Sequence, residues 1–365
     1  MATDGAGIGA SKEDSFTAGA QTSQGRRQFR IIAYAAQAGG AMSITTRLTE
    51  RLGVRHPIML APMDVVADGR LAASVSLAGG FGIIGGGYGD EAWLTREMDA
   101  AGDARVGVGF ITWSMARQPR LLDLVLERRP PAVMLSFGDV QPHADRIKAS
   151  GALLLCQVQT LEQAKQAITN GADVLIAQGA EAGGHGIARG TLALVPAVVD
   201  VAGDVPVAAA GGIADGRGLA AALMLGADGV LMGTRFYASQ EAVGLQAAKD
   251  RIVAATGDQT IRSVLFDIAR RNVWPAPYSG RVLRNDFSER WRGREVELLQ
   301  KQAEEAARYA AARSAGDFDT AAVIAGEAVD LIGDIPPAAE IVARIATEAE
   351  TLLVGASNRY RVGRQ

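Results

Sequence analysis

Residues 205–216 read VPVAAAGGIADG, and residues 229–236 read GVLMGTRF. In each segment a short apolar run ends at a glycine-containing turn, and a helical pattern follows the first segment over residues 217–225. Short apolar runs without polar alternation are typical of parallel strands that are buried on both faces. The two segments therefore predict consecutive strand-and-turn units of an α/β protein.

The same unit recurs upstream, from His56 onward. Together with the two quoted segments, the predicted strands cover residues 57–63, 81–84, 105–112, 132–136, 153–158, 174–178, 206–210 and 229–232. Helical patterns follow most of these strands, and eight βα units predict a closed TIM barrel. An open doubly wound sheet also alternates strands and helices. The barrel is favoured because no G-x-G-x-x-G follows the first strand and the glycine pairs cluster after the seventh and eighth strands.

The repeating pattern stops after Thr234. Residues 238–333 predict a smaller, mainly helical second domain, inserted before the last barrel helix and placed to cover the substrate. The helical spacing over residues 335–353 predicts that last helix, and Pro336-Pro337 suits its first turn. The barrel should then comprise residues 42–237 together with 334–356.

Residues 1–41 differ in composition from the rest of the chain. They are rich in Ala, Gly, Ser and Gln without a sustained period, which predicts a flexible extension. The paired arginines Arg26 and Arg27 resemble an export signal only faintly, since the apolar run that follows is short. We therefore expect a cytoplasmic protein.

Composition excludes several classes of function. The formal net charge of −3 gives no electrostatic footprint for nucleic acid or an anionic membrane, and no apolar stretch is suited to span a bilayer. Cys156 is the only cysteine, so an intrachain disulfide is impossible. The three histidines lack metal-ligand spacing, and we expect no metal site.

The glycines after the seventh and eighth strands predict a phosphate site. Loops at these two strand ends commonly hold phosphate in TIM barrels. Missing side chains at Gly211, Gly212 and Gly233 would let backbone N–H groups approach phosphate oxygens, and Thr234 adds a hydroxyl.

A second glycine-rich loop, residues 178–186, follows the sixth strand and contains His185. An imidazole at the catalytic face of a barrel can act as an acid, a base or a hydrogen-bond donor to an anion. His56 begins the first strand at the opposite rim, and His143 lies at a helix start. We assign both to structural roles and His185 to catalysis.

These segments resemble the nitronate monooxygenase (2-nitropropane dioxygenase) family, within the FMN-dependent TIM-barrel superfamily. The resemblance runs from about Met42 to about Leu353. Its motifs are residues 57–63, 78–82, 107–112, 181–186, 209–217 and 233–236.

The resemblance implies an enzyme that uses FMN and O₂ to oxidise alkyl nitronates, such as propionate 3-nitronate, to a carbonyl compound and nitrite. His185 would hydrogen-bond the nitronate or take the α-proton of a neutral nitroalkane. The residues that the resemblance assigns to the cofactor are Ala61, Pro62, Met63, Gln157, Gln178, Gly183, Gly184, Gly211, Gly212, Gly233 and Thr234. The partners would be the small substrate and O₂, with a homodimer possible.

The chain departs from the family pattern at two positions. Many relatives carry Lys where Gln157 stands and Asp where Gln178 stands, so the usual positive charge beside the cofactor is absent. Arg281 and Arg284 are candidates to bind an anionic substrate, although each taken singly is more typical of a solvated surface. The main alternative function is an FMN-dependent NAD(P)H reductase. Enoyl-acyl-carrier-protein reductases share the histidine loop and a glycine segment that resembles residues 85–87, and quinone reductases share the scaffold.

Overall fold

The computed structural model describes residues 43–359, with eleven strands. They are β1 (Ile58–Leu60), β2 (Gly82–Gly85), β3 (Val106–Ile111), β4 (Ala132–Ser136), β5 (Leu153–Val158), β6 (Val174–Gln178), β7 (Gly184–Gly186), β8 (Val207–Ala210), β9 (Gly229–Met232), β10 (Thr260–Ser263) and β11 (Ser279–Leu283). Eight of them form a parallel sheet in the order β1-β9-β8-β6-β5-β4-β3-β2.

The sheet closes on itself between its two outer strands, β1 and β2. The Leu60 N–H donates to the Phe81 carbonyl at 2.9 Å, and the Phe81 N–H donates to the Ile58 carbonyl at 2.9 Å. Eight parallel strands in a closed ring, with helices between them, are a TIM barrel. The predicted fold class is confirmed, and the barrel strands β8 and β9 are the seventh and eighth strands of the sequence pattern.

Sixteen α-helices and two 3₁₀ helices (Gly257–Gln259 and Glu327–Leu331) occur in the described part of the chain. The α-helices are α1 (Arg47–Leu52), α2 (Gly69–Leu77), α3 (Glu91–Ala100), α4 (Thr112–Met115), α5 (Arg120–Glu127), α6 (Gln141–Ala149), α7 (Leu161–Thr169), α8 (Thr191–Ala202), α9 (Gly216–Met224), α10 (Thr234–Tyr237), α11 (Gln246–Ala254), α12 (Leu265–Ala269), α13 (Asp286–Trp291), α14 (Glu295–Gln300), α15 (Gln302–Ala315) and α16 (Ala338–Arg359). The last of them, α16, packs against α9 and α2, which is the place of a closing barrel helix.

Alternate residues of the strands fill the barrel interior. Met59, Met134, Leu155 and Ile176 belong to one fully buried cluster, together with Leu48 and Leu52 of α1. Since side chains on a strand alternate between its two faces, the next inward positions after Leu155 and Ile176 are occupied by Gln157 and Gln178. The strand period thus directs these two glutamines into the carboxyl-terminal mouth of the barrel.

Residues 238–333 build a second hydrophobic cluster, around Phe266, Phe287 and Trp291. The segment is not purely helical, because β10 and β11 form an antiparallel sheet with β7. The expectation that His185 lies on a loop is therefore wrong: His185 is the central residue of β7 and pairs with Gly280 of β11. The function of residues 238–333 as a substrate-capping domain stays a prediction.

Two predictions concern the ends and the environment of the chain. The flexible extension at residues 1–41 lies outside the residues that the structure describes. Within the described residues, the search for a helix with the length and apolar character of a membrane span found none.

Candidate active site

A cavity of about 410 Å³ opens at the carboxyl-terminal mouth of the barrel. All twelve site residues expected from the sequence line this one cavity: Ala61, Pro62, Met63, Gln157, Gln178, Gly183, Gly184, His185, Gly211, Gly212, Gly233 and Thr234. The fold thus brings together residues from five separate strand ends. Their individual roles stay predictions.

The glycine turns after β8 and β9 present unpaired amides to the cavity. Gly211 and Gly212 have φ values of 100° and 74°, which an L side chain rarely adopts. Within the described chain, the backbone N–H groups of Gly211, Gly212, Gly233 and Thr234 donate to no acceptor. The Thr234 hydroxyl accepts a hydrogen bond from the Gly326 N–H at 3.0 Å, so its own proton is available to a ligand. This donor set fits a phosphate dianion.

The apolar residues Ala61, Pro62 and Met63 line the cavity beside these amides. These three residues leave β1 in a tight turn, in which the Met63 N–H donates to the Ala61 carbonyl at 2.9 Å. A Cβ atom at Gly109 would lie 2.4 Å from the Pro62 Cβ, so only glycine allows the turn to pack this closely on β3. These apolar side chains are suited to one face of a planar ring system.

The two glutamines form a neutral hydrogen-bonded pair. The Gln157 amide donates to the Gln178 carbonyl oxygen at 2.9 Å, and Gln159, which sequence reasoning missed, donates to the same oxygen. The donors Gln157 and Gln159 fix the orientation of the Gln178 carboxamide, because both bind its oxygen. The N–H₂ group of Gln178 is then available to donate to a ligand. Both side chains of the pair are neutral, so the pair buries no unpaired charge.

His185 is held by two contacts that the sequence did not reveal. Its Nε2 lies 3.0 Å from Asp267 Oδ2, and both side chains are only 7% exposed. The Trp274 ring stacks on the imidazole at 3.4 Å between centroids, with 7° between the planes. Asp267 also accepts a hydrogen bond from Arg270 at 2.8 Å. The result is a buried chain from Arg270 through Asp267 to His185.

The hydrogen bonds from Arg270 through Asp267 to His185 fix the protonation state of the imidazole. Burial lowers the pKa of His185, while the hydrogen bond and charge of Asp267 oppose that shift without cancelling it. A neutral imidazole facing a carboxylate carries its proton on the facing nitrogen, so Nε2–H donates to Asp267. The lone pair of Nδ1 is then free to accept a proton.

Arg270 is a cation of the cavity that sequence reasoning missed, and Arg313 is a second one. The Arg270 Nε donates to the Phe266 carbonyl and its Nη2 donates to Asp267, while Nη1 has no partner in the described residues. The side chain is 17% exposed and lines the cavity. Burial lowers the pKa of Arg270, but the charges of Tyr88, Tyr309 and Asp267 raise it by more than burial lowers it. The net shift is upward, so the guanidinium stays charged.

The two arginines proposed from the sequence as substrate ligands do not reach the cavity. Arg281 donates to the Ala180 carbonyl at 2.9 Å and pairs with Glu327 at 2.8 Å. Arg284 donates to the Asp258 carbonyl on the exposed surface. That expectation is wrong because pairing in β11 directs Arg281 to the backbone of the histidine segment. Arg281 thus stabilises the site from outside.

Comparison with known proteins places this geometry in context. Residues 110–348 match the family model described as nitronate monooxygenase. A nitronate monooxygenase of Neurospora crassa is 35% identical over 346 residues, which cover 81% of this chain and 90% of that protein.

Two solved structures are similar over most of the chain. FabK from Thermotoga maritima superimposes with a TM-score of 0.78 at 31% identity, covering 87% of this chain and all of that one. Nitroalkane oxidase from Streptomyces ansochromogenes superimposes with a TM-score of 0.72 at 26% identity, covering 86% of this chain and all of that one.

Proposed function

The chain belongs to the nitronate monooxygenase family and is an enzyme of that type, and from this premise we propose that it uses FMN and O₂ to oxidise alkyl nitronates, such as propionate 3-nitronate, to a carbonyl compound and nitrite. The observation that carries the proposal is the single cavity in which four unpaired amides, the apolar residues Ala61–Met63 and a buried histidine meet. FMN offers the matching groups, a phosphate dianion and a planar ring.

The residues at the ends of β8 and β9 would hold the phosphate through the N–H groups of Gly211, Gly212, Gly233 and Thr234. The turn Ala61–Met63 would cover one face of the ring, and the free Gln178 N–H₂ would donate to an acceptor on the ring edge or ribityl chain. Gly183 and Gly184 shape the strand that brings His185 to the cavity. The chemistry that FMN supplies when bound is acceptance of two electrons from the substrate and their transfer to O₂.

The chain's own residues would bind the substrate and move its proton. Arg270 presents a free N–H₂ group to the cavity, and a nitronate oxygen is the anion it would bind. With Nε2–H committed to Asp267, His185 offers Nδ1 as the base for the α-proton of a neutral nitroalkane, and Asp267 would stabilise the resulting imidazolium. A preformed nitronate needs no such base.

Anaerobic mixing of the purified protein with propionate 3-nitronate tests the function. We expect a yellow protein whose visible absorbance bleaches on mixing and returns with O₂, with release of nitrite. A folded protein that stays colourless after incubation with FMN would refute the cofactor assignment. Replacement His185→Asn should leave FMN bound and reduce turnover of neutral nitroalkane.

The second candidate is an FMN-dependent NAD(P)H reductase, for which residues 85–87 provide the specific observation. A Cβ atom at Gly85 would lie 2.3 Å from the Met63 carbonyl oxygen, and Gly87 lines the cavity, so this glycine segment is part of the site. Anaerobic bleaching by NADH or NADPH alone would move the assignment to a reductase. Cytoplasmic location and a homodimer stay predictions from the sequence.

A further inference from the structure

Asp64 is a carboxylate of the cavity for which the mechanism above has no use. It follows Met63 directly and lines the same cavity as His185 and Arg270. Among the described residues, no hydrogen-bond donor or ion-pair partner contacts its carboxylate. The other acidic residue that lines the cavity, Glu181, accepts hydrogen bonds from the backbone and hydroxyl of Thr191 and is committed to them.

The backbone beside Asp64 is strained, and the facing segment leaves room for the carboxylate. The next residue, Val65, has a φ of 50°, a left-handed conformation that is strained for a β-branched residue. On the facing segment, a Cβ atom at Gly87 would lie 1.9 Å from Asp64 Oδ1. Both Val65 and Gly87 line the cavity. Strain of this kind persists where the surrounding structure determines it, as at ligand-binding positions.

The electrostatic surroundings leave the carboxylate short of partners. Burial raises the pKa of Asp64, and the charges of Arg313 and Arg270 oppose that rise without reaching hydrogen-bond distance. A half-buried carboxylate without a partner is stabilised by a donor that enters the cavity, since burial without a hydrogen bond is costly.

We propose that Asp64 accepts a hydrogen bond from a hydroxyl or amino group on the carbon chain of the substrate. The inference rests on the proposed function and names its substrate class: nitronates and nitro compounds that carry a hydrogen-bond donor, in preference to purely alkyl ones. Arg270 would bind the nitronate end while Asp64 binds the polar substituent.

The test compares substrates of matched size on the FMN-loaded enzyme. The nitronates of 2-nitroethanol and 3-nitropropan-1-ol are paired with those of 1-nitropropane and 1-nitrobutane, in which a methyl group replaces the hydroxyl. We expect kcat/KM to favour the hydroxylated member of at least one pair by about 10- to 100-fold, the range of one hydrogen bond to a charged group. In Asp64→Ala the preference should disappear, and in Asp64→Asn it should shrink several-fold.

Asp103→Ala is the matched control, because Asp103 is an exposed aspartate outside the cavity and should leave the preference unchanged. Equal kcat/KM values within both pairs of the wild-type enzyme, or a preference that survives Asp64→Ala, would overturn the inference.

A binding measurement separates this inference from the activity itself. The dissociation constants of the neutral nitro compounds can be measured under anaerobic conditions by quenching of tryptophan fluorescence, since Trp274 lines the cavity. Tighter binding of the hydroxylated compounds, lost in Asp64→Ala, supports the role of Asp64 even if no nitronate is turned over. Turnover of all four nitronates without any preference leaves the proposed function standing and removes Asp64 from it.

Discussion

Replacement of Asp267 by Asn should reverse the tautomer of His185. Arg270 donates to Asp267 Oδ1, so an asparagine at this position must direct its carbonyl oxygen toward the guanidinium. Its N–H₂ group then faces His185 Nε2, which lies 3.0 Å from the carboxylate in the wild-type protein. Two donors cannot face each other, so Nε2 becomes the acceptor and the imidazole proton moves to Nδ1.

The hydrogen bond that is lost sets the tautomer preference, and the loss of the general base sets the fall in rate. A bond between Nε2–H and a charged carboxylate contributes about 1.5–3 kcal/mol, which favours the wild-type tautomer by about 10- to 150-fold. With Nδ1 protonated, this nitrogen can no longer accept a proton from the substrate. We expect kcat/KM for neutral nitroethane to fall about 10²- to 10⁴-fold in Asp267→Asn. Preformed ethyl nitronate needs no base, and its kcat/KM should fall far less.

The assay combines steady-state kinetics with imidazole ¹⁵N NMR, which reports the tautomer directly. The sequence contains three histidines, so the His185 signals can be assigned by comparison with His185→Asn. Asp228→Asn is the matched control. Asp228 is a buried aspartate that lies 2.8 Å from Arg47, and it does not line the cavity. Unchanged His185 shifts together with nitroethane kinetics within threefold of wild type would refute the reasoning.

Three further predictions follow from the site. In Gly212→Ala the φ of 74° costs an alanine about 1–2 kcal/mol, and the loop should relax away from this conformation. FMN retention should weaken about tenfold or more, as measured by ultrafiltration and absorbance. Gln157→Lys and Gln178→Asp should each lower the midpoint of thermal unfolding because each introduces an unpaired charge into the site. In the double variant the two charges pair, and a double-mutant cycle should give a favourable coupling energy of about 0.5–3 kcal/mol. For wild type, kcat/KM with freshly diluted nitroethane should be constant at neutral pH and fall about tenfold per pH unit below the pKa of His185. Burial holds that pKa under its usual 6.5. A profile that stays flat to well below pH 5 would contradict the base role.

Much of the site was predictable because it lies at the ends of barrel strands. Once eight strands are recognised, the barrel places their carboxyl ends around one mouth, and the glycines after β8 and β9 must meet there. Gln157 and Gln178 follow from the two-residue period of β5 and β6. The strand boundaries differ from the prediction: the first strand ends at Leu60 instead of Met63 because residues 61–63 turn along the mouth.

The sequence by itself determined the barrel, the glycines that line the cavity and the placement of His185 after the sixth strand, since each depends on local period and strand order. The tertiary structure alone decided what surrounds the imidazole. Asp267 is 82 residues from His185. It lies on α12, directly after β10, and reaches His185 because β10 and β7 both pair with β11 in one antiparallel sheet. A three-residue Gly-His-Gly strand has no hydrophobic period, so no local pattern indicates its register. The residues that set the tautomer of the base are therefore fixed by long-range pairing.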